Sequence, residues 1–486
     1  MNVVLIYADD LGYGDVEFLN KACKIPTPHL NKLAERGIIF TDAHASDTIC
    51  SPSRYGILTG RYSWRTRLKK GNPKLGDQPW ISAHRDTMAS MLAREGYDTA
   101  AIGKWGLGSD WAAAARPERR GHHVLPQDID YSKPVHSGRC VGFSYDDVHL
   151  WYTREYYTTD RYKRYNEKHM WEETDGGRWY FENGMSEGGD PVFEDFDMEE
   201  AQLRYIKRTV EYIDSKGGTA RQAKFNQRDG APFFIYYAPH IPHFPHVPAK
   251  PFIGKSRCGI YGDFVMELDW AVGEITTALE RNGLLDDTMI IFTSDNGPER
   301  QCYEYPESFG HYSMGDLRGI KRDVWEGGHR TPFVVSYPKL IKKGRTCNRM
   351  VSQLDIIRTV ADMLGAKLPK HAAEDSFSFA SEIDATCRES KPRRDFMVHH
   401  TANDKYALRK GDWILVEGSS GDCGSQEPEW FRKQRGVVPH QEEVELFNLK
   451  TDPQQLQNLY ASEPERARDL LDELLRLKKS PTLEGH

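Results

Sequence analysis

Polar side chains suited to metal or anion chemistry follow four apolar segments of the sequence: NVVLIYA at 2–8, DTAAIG at 98–103, PFFIYYA at 232–238 and TMIIFTS at 288–294. The residue pairs at the ends of these segments are Asp9-Asp10, Gly103-Lys104, Pro239-His240 and Asp295-Asn296. Strands of an open α/β sheet bind ligands at their carboxyl ends, so these residues are expected to meet at one edge. Oxygen ligands in this number suit Ca²⁺ or Mg²⁺ better than zinc. One such pair alone is more typical of a turn or a helix cap, but four strand ends together favour a site.

A cysteine, Cys50, stands in the segment SDTICSPSRYGILTGR at 46–61. The run PSRYGILTG predicts a helix with Pro52 in its first turn, which would place Cys50 at the partial positive charge of the helix N-terminus. A cysteine in that place is a low-pKa nucleophile, a buried structural thiol or a modified residue. The residues alone leave these three interpretations open.

The elements that must position these residues alternate between apolar strands and helices. A fifth apolar segment, TPFVVSYP at 331–338, joins the four above. Near-continuous apolar runs are typical of strands buried on both faces of a parallel sheet. Helical patterns that end at glycine lie between the strands: TPHLNKLAERG, RDTMASMLAREG, MEEAQLRYIKRTVEYIDSKGG and GDFVMELDWAVGEITTALERNG. The pattern predicts a doubly wound α/β domain.

The chain changes character at about residue 391. RDFMVHH, KYALRKGDWILVEG and EEVELFNL predict short strands joined by tight turns, and PERARDLLDELLRLKK predicts a closing helix. We therefore expect a main α/β domain at 1–390 and a C-terminal α+β subdomain with a short antiparallel sheet at 391–486. The polar stretch at about 109–197 is rich in Trp, Tyr and Gly and predicts a variable insertion, because it is too long for an ordinary connection.

Composition limits the classes of function. The 486 residues carry a net charge of -7 with acids and bases interspersed, which argues against nucleic acid as a partner. No segment approaches the roughly 20 apolar residues of a membrane span. No basic-then-apolar leader precedes the first strand, so we expect either a cytosolic protein or one whose export signal is absent from this sequence. Eight cysteines without a CxxC pair predict neither a disulfide scaffold nor a zinc module.

The segment CSPSRYGILTGR resembles the C-x-P-S-R-x-x-x-L-T-G-R signature of type I sulfatases. Other hallmarks occur in the order typical of that family: ADDLGYGD, TPHLNKLAERG, GKWGLG, APHIPH, SDNGP and LRGIKRDVWEGGHRTP. The resemblance implies an alkaline-phosphatase-like, mostly parallel doubly wound sheet with a smaller C-terminal α+β subdomain. It also implies that a maturation enzyme, either a formylglycine-generating enzyme or an anaerobic one, oxidises Cys50 to Cα-formylglycine (3-oxoalanine).

Site residues are carried over from the family one by one. The resemblance implies that one divalent cation, calcium rather than magnesium, is held by the side chains of Asp9, Asp10, Cys50, Asp295 and Asn296. It assigns Arg54 to the hydrated aldehyde and Lys104, His240 and Lys321 to the sulfate group. In the expected mechanism one hydroxyl of the hydrate attacks sulfur in line, while His240 with Lys321 protonates the departing alcohol. The second hydroxyl then loses its proton, and collapse to the aldehyde expels sulfate.

One position departs from the family pattern. Members usually read Gly-Lys-Trp-His-Leu-Gly, and here the histidine position is Gly106. That histidine helps deprotonate the hydrate, so the base for the release step is left to His243, Lys104 or water. The pair His122-His123 in the variable stretch is a further candidate.

Substrate recognition is expected from loops and from the C-terminal segment. The aromatic residues of the variable stretch could form a wall for a sugar ring: Trp151, Tyr152, Tyr156, Tyr157, Trp171, Trp179 and Tyr180. The segment 394–416 is similar to that of bacterial glycan sulfatases, which makes His399 and His400 candidate pocket residues along with His243. The run PHIPHFPH also raises the alternative of a zinc site, although its prolines place successive side chains on changing faces.

The sequence therefore predicts hydrolysis of sulfate esters on a sulfated oligosaccharide or polysaccharide, with aryl sulfates as surrogates. Two alternatives stay open: a phosphodiesterase or phosphonate hydrolase of the same superfamily, and a catalytically impaired glycan-binding relative, suggested by Gly106. The resemblance implies a periplasmic or secreted enzyme, or a lysosomal one in a eukaryote.

Overall fold

The computed structural model describes residues 1–73, 78–109, 137–149, 185–187, 190–192, 198–218, 223–225 and 227–481. The predicted insertion at about 109–197 therefore lies largely outside the described residues. The same is true of the side chains singled out there: His122, His123, Trp151, Tyr152, Tyr156, Tyr157, Trp171, Trp179 and Tyr180.

Ten strands of the described residues form one large sheet, in the order β11-β2-β10-β9-β1-β8-β4-β5-β6-β7. The strands within the described ranges are β1 (Asn2–Ala8), β2 (Gly37–Phe40), β3 (Ala43–His44), β4 (Asp98–Lys104), β5 (Tyr145–His149), β6 (Met185–Glu187), β7 (Asp190–Val192), β8 (Phe233–Ala238), β9 (Thr288–Ser294), β10 (Phe333–Ser336), β11 (Arg345–Cys347), β12 (Val351–Ser352), β13 (Phe396–His400), β14 (Tyr406–Lys410), β15 (Trp413–Val416) and β16 (Glu445–Asn448).

The centre of the large sheet is parallel, as the apolar runs predict. Strand β1 lies between β8 and β9 and is parallel to both, and β4 is parallel to β8. Strand β10 differs, because it runs antiparallel to β9 and β2. A strand buried on both faces has the same apolar pattern in either direction, so the sequence does not reveal this reversal.

Helices cover both faces of the large sheet. The helices of the described residues are α1 (Pro28–Glu35), α2 (Cys50–Thr59), α3 (Met88–Arg94), α4 (Met198–Lys216), α5 (Gly259–Arg281), α6 (Tyr305–Phe309), α7 (Glu326–His329), α8 (Ile356–Leu364), α9 (Ala380–Ile383), α10 (Glu429–Arg435) and α11 (Pro464–Lys479). Helices α2, α3 and α8 contribute to the core on one face, and α1, α4 and α5 to the core on the other. This arrangement confirms the doubly wound, alkaline-phosphatase-like α/β class.

The C-terminal part of the chain forms a smaller α+β unit. Strands β13, β14, β15 and β16 make an antiparallel sheet in chain order. Helix α11 packs its apolar stripe on this sheet, and the same core includes Tyr62, Trp64 and Leu354 of the main domain. The small sheet is therefore fastened to the main domain beside helix α2. Among the described helices, none has the length and apolar character needed to cross a lipid bilayer.

Candidate active site

The carboxyl ends of the central strands coincide, which brings the predicted site residues together. Ala8 at the end of β1 pairs in register with Ser294 at the end of β9. Gly103 near the end of β4 pairs with Ala238, the last residue of β8. The residues that follow these positions therefore leave the sheet at one edge, as expected for the ligand-binding edge of an open α/β sheet.

Three aspartates and an asparagine form the acidic half of the site. The backbone N–H of Asp10 donates to Oδ1 of Asp295 at 3.0 Å, and the side-chain amide of Asn296 donates to Oδ1 of Asp10 at 2.7 Å. Asp10 has a left-handed backbone with φ of 65°, a conformation that aspartate tolerates better than most residues. All four side chains, including Asp9, are at most 1 % exposed. The loops after β1 and β9 are thus joined by direct hydrogen bonds.

Three cationic side chains compensate the buried carboxylates. Lys104 Nζ lies 2.6 Å from Oδ2 of Asp9, and Lys321 Nζ lies 2.7 Å from Oδ2 of Asp10. Arg54 Nη2 lies 2.8 Å from Oδ2 of Asp295 and 3.6 Å from Oδ2 of Asp9. Unpaired buried charges are costly, so this alternation of acids and bases is what allows the cluster to be buried at all.

Cys50 is the first residue of α2 and is 2 % exposed. Arg54 follows one turn later on the same helix, which carries the guanidinium to Asp295. Gly56 lets helix α2 pack closely against Ser46 of the preceding segment, because a Cβ at Gly56 would lie 2.0 Å from Oγ of Ser46. Burial acts to lower the pKa of Lys321, but the charges of Asp10, Glu299 and Cys50 outweigh it and raise that pKa. The thiol therefore belongs to the same electrostatic cluster as the carboxylates.

Two histidines complete the cluster. His240 Nδ1 lies 3.3 Å from Oδ2 of Asp9, and His243 Nε2 lies 3.6 Å from Oδ2 of Asp10. Burial lowers the pKa of both imidazoles, so they are neutral near pH 7 in the free site. The third histidine of the PHIPHFPH run, His246, packs against Phe244 and Tyr261 instead. The three rings do not converge, which disfavours a zinc site built from this run.

The acidic half fits a hard divalent cation. Within the described part of the chain, Oδ1 of Asp9 and Oδ1 of Asn296 are buried without a hydrogen-bond partner. Ligand atoms of Asp9, Asp10 and His243 lie within 4.8 Å of one another. Carboxylate and amide oxygens left without donors are the ligand type that Ca²⁺ and Mg²⁺ take.

Cation binding to this site is expected to depend on pH. Burial and the charge of Asp9 raise the pKa of Asp295 to about 7, so below that pH a bound cation must displace a proton. We expect calcium affinity of the chelator-treated protein to be about tenfold lower at pH 6 than at pH 8. Calorimetric titration in two buffers of different ionisation enthalpy measures both the affinity and the proton released. Equal affinity at the two pH values, with no proton release, would contradict the assignment of Asp295 as a ligand.

Gly106 lies within this cluster. Its φ is +68°, and a Cβ there would face Oγ of Ser51 at 3.3 Å, Cδ of Arg54 at 3.7 Å and Cε of Lys104 at 4.0 Å. A side chain at position 106, where type I sulfatases usually have histidine, would thus lie beside Arg54 and Lys104. In this chain His243 is the histidine already beside Asp10.

The two histidines predicted in the C-terminal segment are both buried, each with 1 % exposure. His400 Nδ1 lies 2.7 Å from Oδ2 of Asp47, and its backbone carbonyl accepts from the N–H of Thr48 at 3.2 Å. It therefore supports the segment that leads into Cys50. The ring of His399 stacks on that of His329, away from the cluster around Asp9.

Sequence reasoning missed two further charged residues near Lys321, namely Glu299 and Arg322. Glu299 Oε2 lies 3.4 Å from Lys321 Nζ, and Arg322 holds both oxygens of Glu299, at 2.6 and 2.8 Å. Burial acts to raise the pKa of Glu299, but Lys321 and Arg322 hold it far below its usual range. Glu299 lies three residues past Asn296, so a wider window after each strand would have found it.

Comparisons with known proteins show which proteins the chain is similar to. The sulfatase family model matches residues 1–366, and the model of the N-sulphoglucosamine sulphohydrolase C-terminal region matches residues 319–417. The chain is similar to an N-acetylgalactosamine-6-O-sulfatase of Bacteroides thetaiotaomicron, with 31% identity over 98% of this chain and 93% of that protein. It is also similar to human arylsulfatase A, with 30% identity over 98% of this chain and 87% of that protein. A solved Bacteroides thetaiotaomicron sulfatase, from a locus for the metabolism of multiple glycosaminoglycans, has a TM-score of 0.73 and 28% identity, covering 99% of both chains.

Proposed function

We propose a substrate class for this chain, which belongs to the sulfatase family and is a sulfuric ester hydrolase. The proposed reaction is the removal of sulfate from sulfated carbohydrates. We further propose that its nucleophile is made from Cys50. The observation that carries this proposal is the position of Cys50 at the start of α2, in one buried cluster with Arg54, Lys321 and the three aspartates. A thiol placed there adjoins both the cation ligands and the groups that bind an anion.

Two groups would complete the site. A formylglycine at position 50 supplies a hydroxyl nucleophile that can later release its sulfate, and a divalent cation, calcium by preference, supplies positive charge beside it. Asp9, Asp10, Asp295 and Asn296 are the residues that would hold the cation. Arg54 fixes the orientation of Asp295 and Asp9 and keeps a permanent positive charge beside position 50.

The lysines and histidines of the site bind the sulfate group and handle protons. Lys321 stays protonated because Asp10 and Glu299 outweigh its burial, so it serves as a fixed charge for the anionic substrate. Lys104 plays the corresponding part beside Asp9. His240 is neutral in the free site because burial lowers its pKa, and a bound sulfate favours its protonated form. We assign to His240 the proton that goes to the departing alcohol oxygen, and to His243 the later removal of a proton near position 50.

A panel of defined sulfated saccharides tests the substrate class. We expect measurable release of sulfate from at least one amino-sugar or galactose sulfate, since one relative is named for N-acetylgalactosamine-6-O-sulfate hydrolysis. A matched sulfate and phosphate ester of one aromatic alcohol, assayed in parallel, measures the reaction type. Preference for the phosphate ester would reject the sulfatase assignment in favour of a phosphodiesterase or phosphonate hydrolase.

Replacement of Gly106 by histidine tests how the release step obtains its base. We expect Gly106→His to lower the free energy of unfolding by about 1–2 kcal/mol, because φ is +68° and Ser51 is close. We also expect no more than a few-fold change in kcat, because His243 already lies in the cluster. Thermal unfolding and steady-state kinetics check both effects, with Gly106→Asn as the control that accepts the same φ without a titratable group.

Two outcomes of that experiment would change the interpretation. A rise in kcat of about 10²-fold in the histidine variant alone would show that the native site lacks this base. If neither form hydrolyses any sulfated sugar while both bind one, the protein is better described as a glycan-binding relative.

Maturation and location follow from the same proposal. The conversion of Cys50 requires a formylglycine-generating or anaerobic maturation enzyme as a partner. A polymeric glycan is met outside the cytoplasm, so we propose a periplasmic or secreted site of action, or a lysosomal one in a eukaryotic cell. Intact-mass analysis of the protein isolated from each cell fraction measures where the converted form resides.

A further inference from the structure

A second group of potential metal ligands lies where β3, α7 and β13 meet. This histidine cluster consists of His44, Glu326, His329 and His399, whose ligand atoms all lie within 4.8 Å of one another. Each of the four side chains is at most 1 % exposed. None of these residues belongs to the site around Asp9 and Cys50, so the cluster needs its own explanation.

The hydrogen bonds of His44 determine which ring nitrogen carries its proton. Nε2 of His44 lies 2.7 Å from Oδ1 of Asp42, which only accepts hydrogen bonds. Nη1 of Arg409 also lies 3.1 Å from Nε2, but that group donates to the same Asp42 oxygen at 2.6 Å. A proton on Nε2 therefore sacrifices no hydrogen bond of Arg409, whereas a lone pair on Nε2 would face the carboxylate of Asp42. Nδ1 of His44 is left with a lone pair.

The same reasoning applies to His329. Its Nε2 lies 3.1 Å from the carbonyl oxygen of Val324, which is an acceptor only. The proton is therefore on Nε2, and Nδ1 of His329 also has a lone pair. The two Nδ1 atoms are 3.0 Å apart. Two lone pairs at this distance repel each other unless a cation lies between or beside them.

The remaining members of the cluster offer further ligand atoms. Neither ring nitrogen of His399 has a hydrogen-bond partner within the described ranges, although the ring is buried. Oε1 of Glu326 is likewise buried without a hydrogen-bond partner in the described chain, while Oε2 pairs with Arg330. Buried polar atoms are rarely left in this state, because a buried donor or acceptor without a hydrogen bond has lost its contact with water and gained nothing in return.

The positive charges of Arg330 and Arg409, which lie nearby, do not prevent the histidine cluster from binding a cation. Asp42 holds Nη1 and Nη2 of Arg409 at 2.6 and 2.8 Å and Nη2 of Arg330 at 3.0 Å. The two guanidinium charges are thus matched by Asp42 and Glu326. A shared proton is the other cation to consider, but burial lowers the pKa of His329 to about 3 and also lowers the pKa of His44.

We propose that the histidine cluster is a structural binding site for zinc or a similar divalent transition metal. Nδ1 of His44, Nδ1 of His329 and Oε1 of Glu326 are the first three ligands, and a ring nitrogen of His399 is the fourth. Three imidazoles and one carboxylate suit zinc, for which nitrogens bound at about 2.0–2.1 Å lie roughly 3.3 Å apart. Asp42 and the Val324 carbonyl, by accepting the outer protons, orient the two imidazoles as is usual around metals.

The stacking of two rings defines the movement that binding requires. The rings of His399 and His329 are nearly parallel, at 8°, with centroids 3.5 Å apart. His399 must turn about its χ2 angle to share an ion with His329, and no hydrogen bond to its nitrogens from the described residues resists that turn. A bound ion would join β13 of the C-terminal sheet to β3 and α7 of the main domain, immediately before the segment that carries Cys50.

The experiment compares metal retention by the full-length protein and one ring-preserving variant. Calcium-saturated protein is incubated with zinc, dialysed and analysed for bound metal and for Tm, and a parallel sample with Co²⁺ is examined by visible absorption. We expect one tightly held zinc per chain and a raised Tm for the unmodified protein. His399→Phe keeps a ring on His329 and loses no hydrogen bond, so we expect it to fold and to bind zinc at least about tenfold more weakly.

His246→Phe is the matched control, because it makes the same change at another buried histidine outside the cluster. It is expected to retain zinc as the unmodified protein does. Failure of the unmodified protein to take up zinc or cobalt would overturn the proposal. So would equal zinc binding and an equal rise of Tm in the unmodified protein and His399→Phe, since a packing role alone predicts that result.

Discussion

Replacement of Cys50 by alanine is expected to abolish sulfate-ester hydrolysis, lowering kcat/KM by about 10⁴-fold or more. The side chain begins helix α2 among Arg54, Lys321 and the buried carboxylates, and alanine at this position has no sulfur or oxygen atom from which the nucleophile could be made. Cys50→Ser should be equally inactive where maturation acts only on cysteine, because a serine ester of sulfate cannot collapse to an aldehyde. Steady-state hydrolysis of a sulfated saccharide or an aryl sulfate measures the loss.

A second cysteine provides the control for this prediction. Cys347, on edge strand β11, is also buried, at 8 % exposure, and takes no part in the site. Cys347→Ala is expected to retain kcat/KM within a few-fold. Intact-mass analysis should show conversion of Cys50 in this control and in the unmodified protein. Residual activity of Cys50→Ala within tenfold of the unmodified enzyme would contradict a nucleophile at this position.

The part of the site built from strand ends could be predicted from sequence. Asp9, Lys104 and Asp295 each follow an apolar run, and parallel strands in register bring their carboxyl ends together without any further information. The same logic located His240. Lys321 does not follow a strand of the sheet. Its assignment to the sulfate group depends only on the resemblance of the surrounding segment to a family motif.

Other features depend on the packing of distant segments and leave no periodic signal. Strand β10 has the apolar pattern of its parallel neighbours but runs antiparallel, because its direction is decided by the path of the chain after β9. His400 reaches Asp47 only because the C-terminal sheet packs beside α2. His44 and His329 are 285 positions apart, and their contact appears only when β3 and α7 are placed together.

The segment before Cys50 is held from several directions, which bears on how the nucleophile is positioned. Asp47 accepts from its neighbour's N–H, from Ser63 and from His400, and the carbonyl of Thr48 accepts from Arg322. Arg322 also grips Glu299, the partner of Lys321. The C-terminal sheet, the nucleophile segment and the anion-binding lysine are therefore coupled through short polar contacts.

Replacement of Lys104 by methionine is the second change expected to have a large effect. Lys104 Nζ lies 2.6 Å from Asp9 at the site, and a donor aimed at charge that develops in the transition state contributes about 10²–10³-fold to kcat. Methionine keeps most of the buried stem and removes only the charge and its hydrogen bonds. We expect kcat/KM of Lys104→Met to fall by about 10²–10³-fold, with calcium binding retained because the cation ligands are unchanged.

Lys216 offers a matched control at the opposite edge of the same sheet. Its Nζ lies 2.6 Å from Asp98, the first residue of β4, just as Lys104 is the last residue of that strand. The side chains of Lys104 and Lys216 are 2 % and 4 % exposed, so Lys216→Met removes a lysine from a similar environment. This variant should lose stability but keep kcat/KM within a few-fold. If the two variants lose activity equally, the effect of Lys104 is on folding, and its assignment to the sulfate group is wrong.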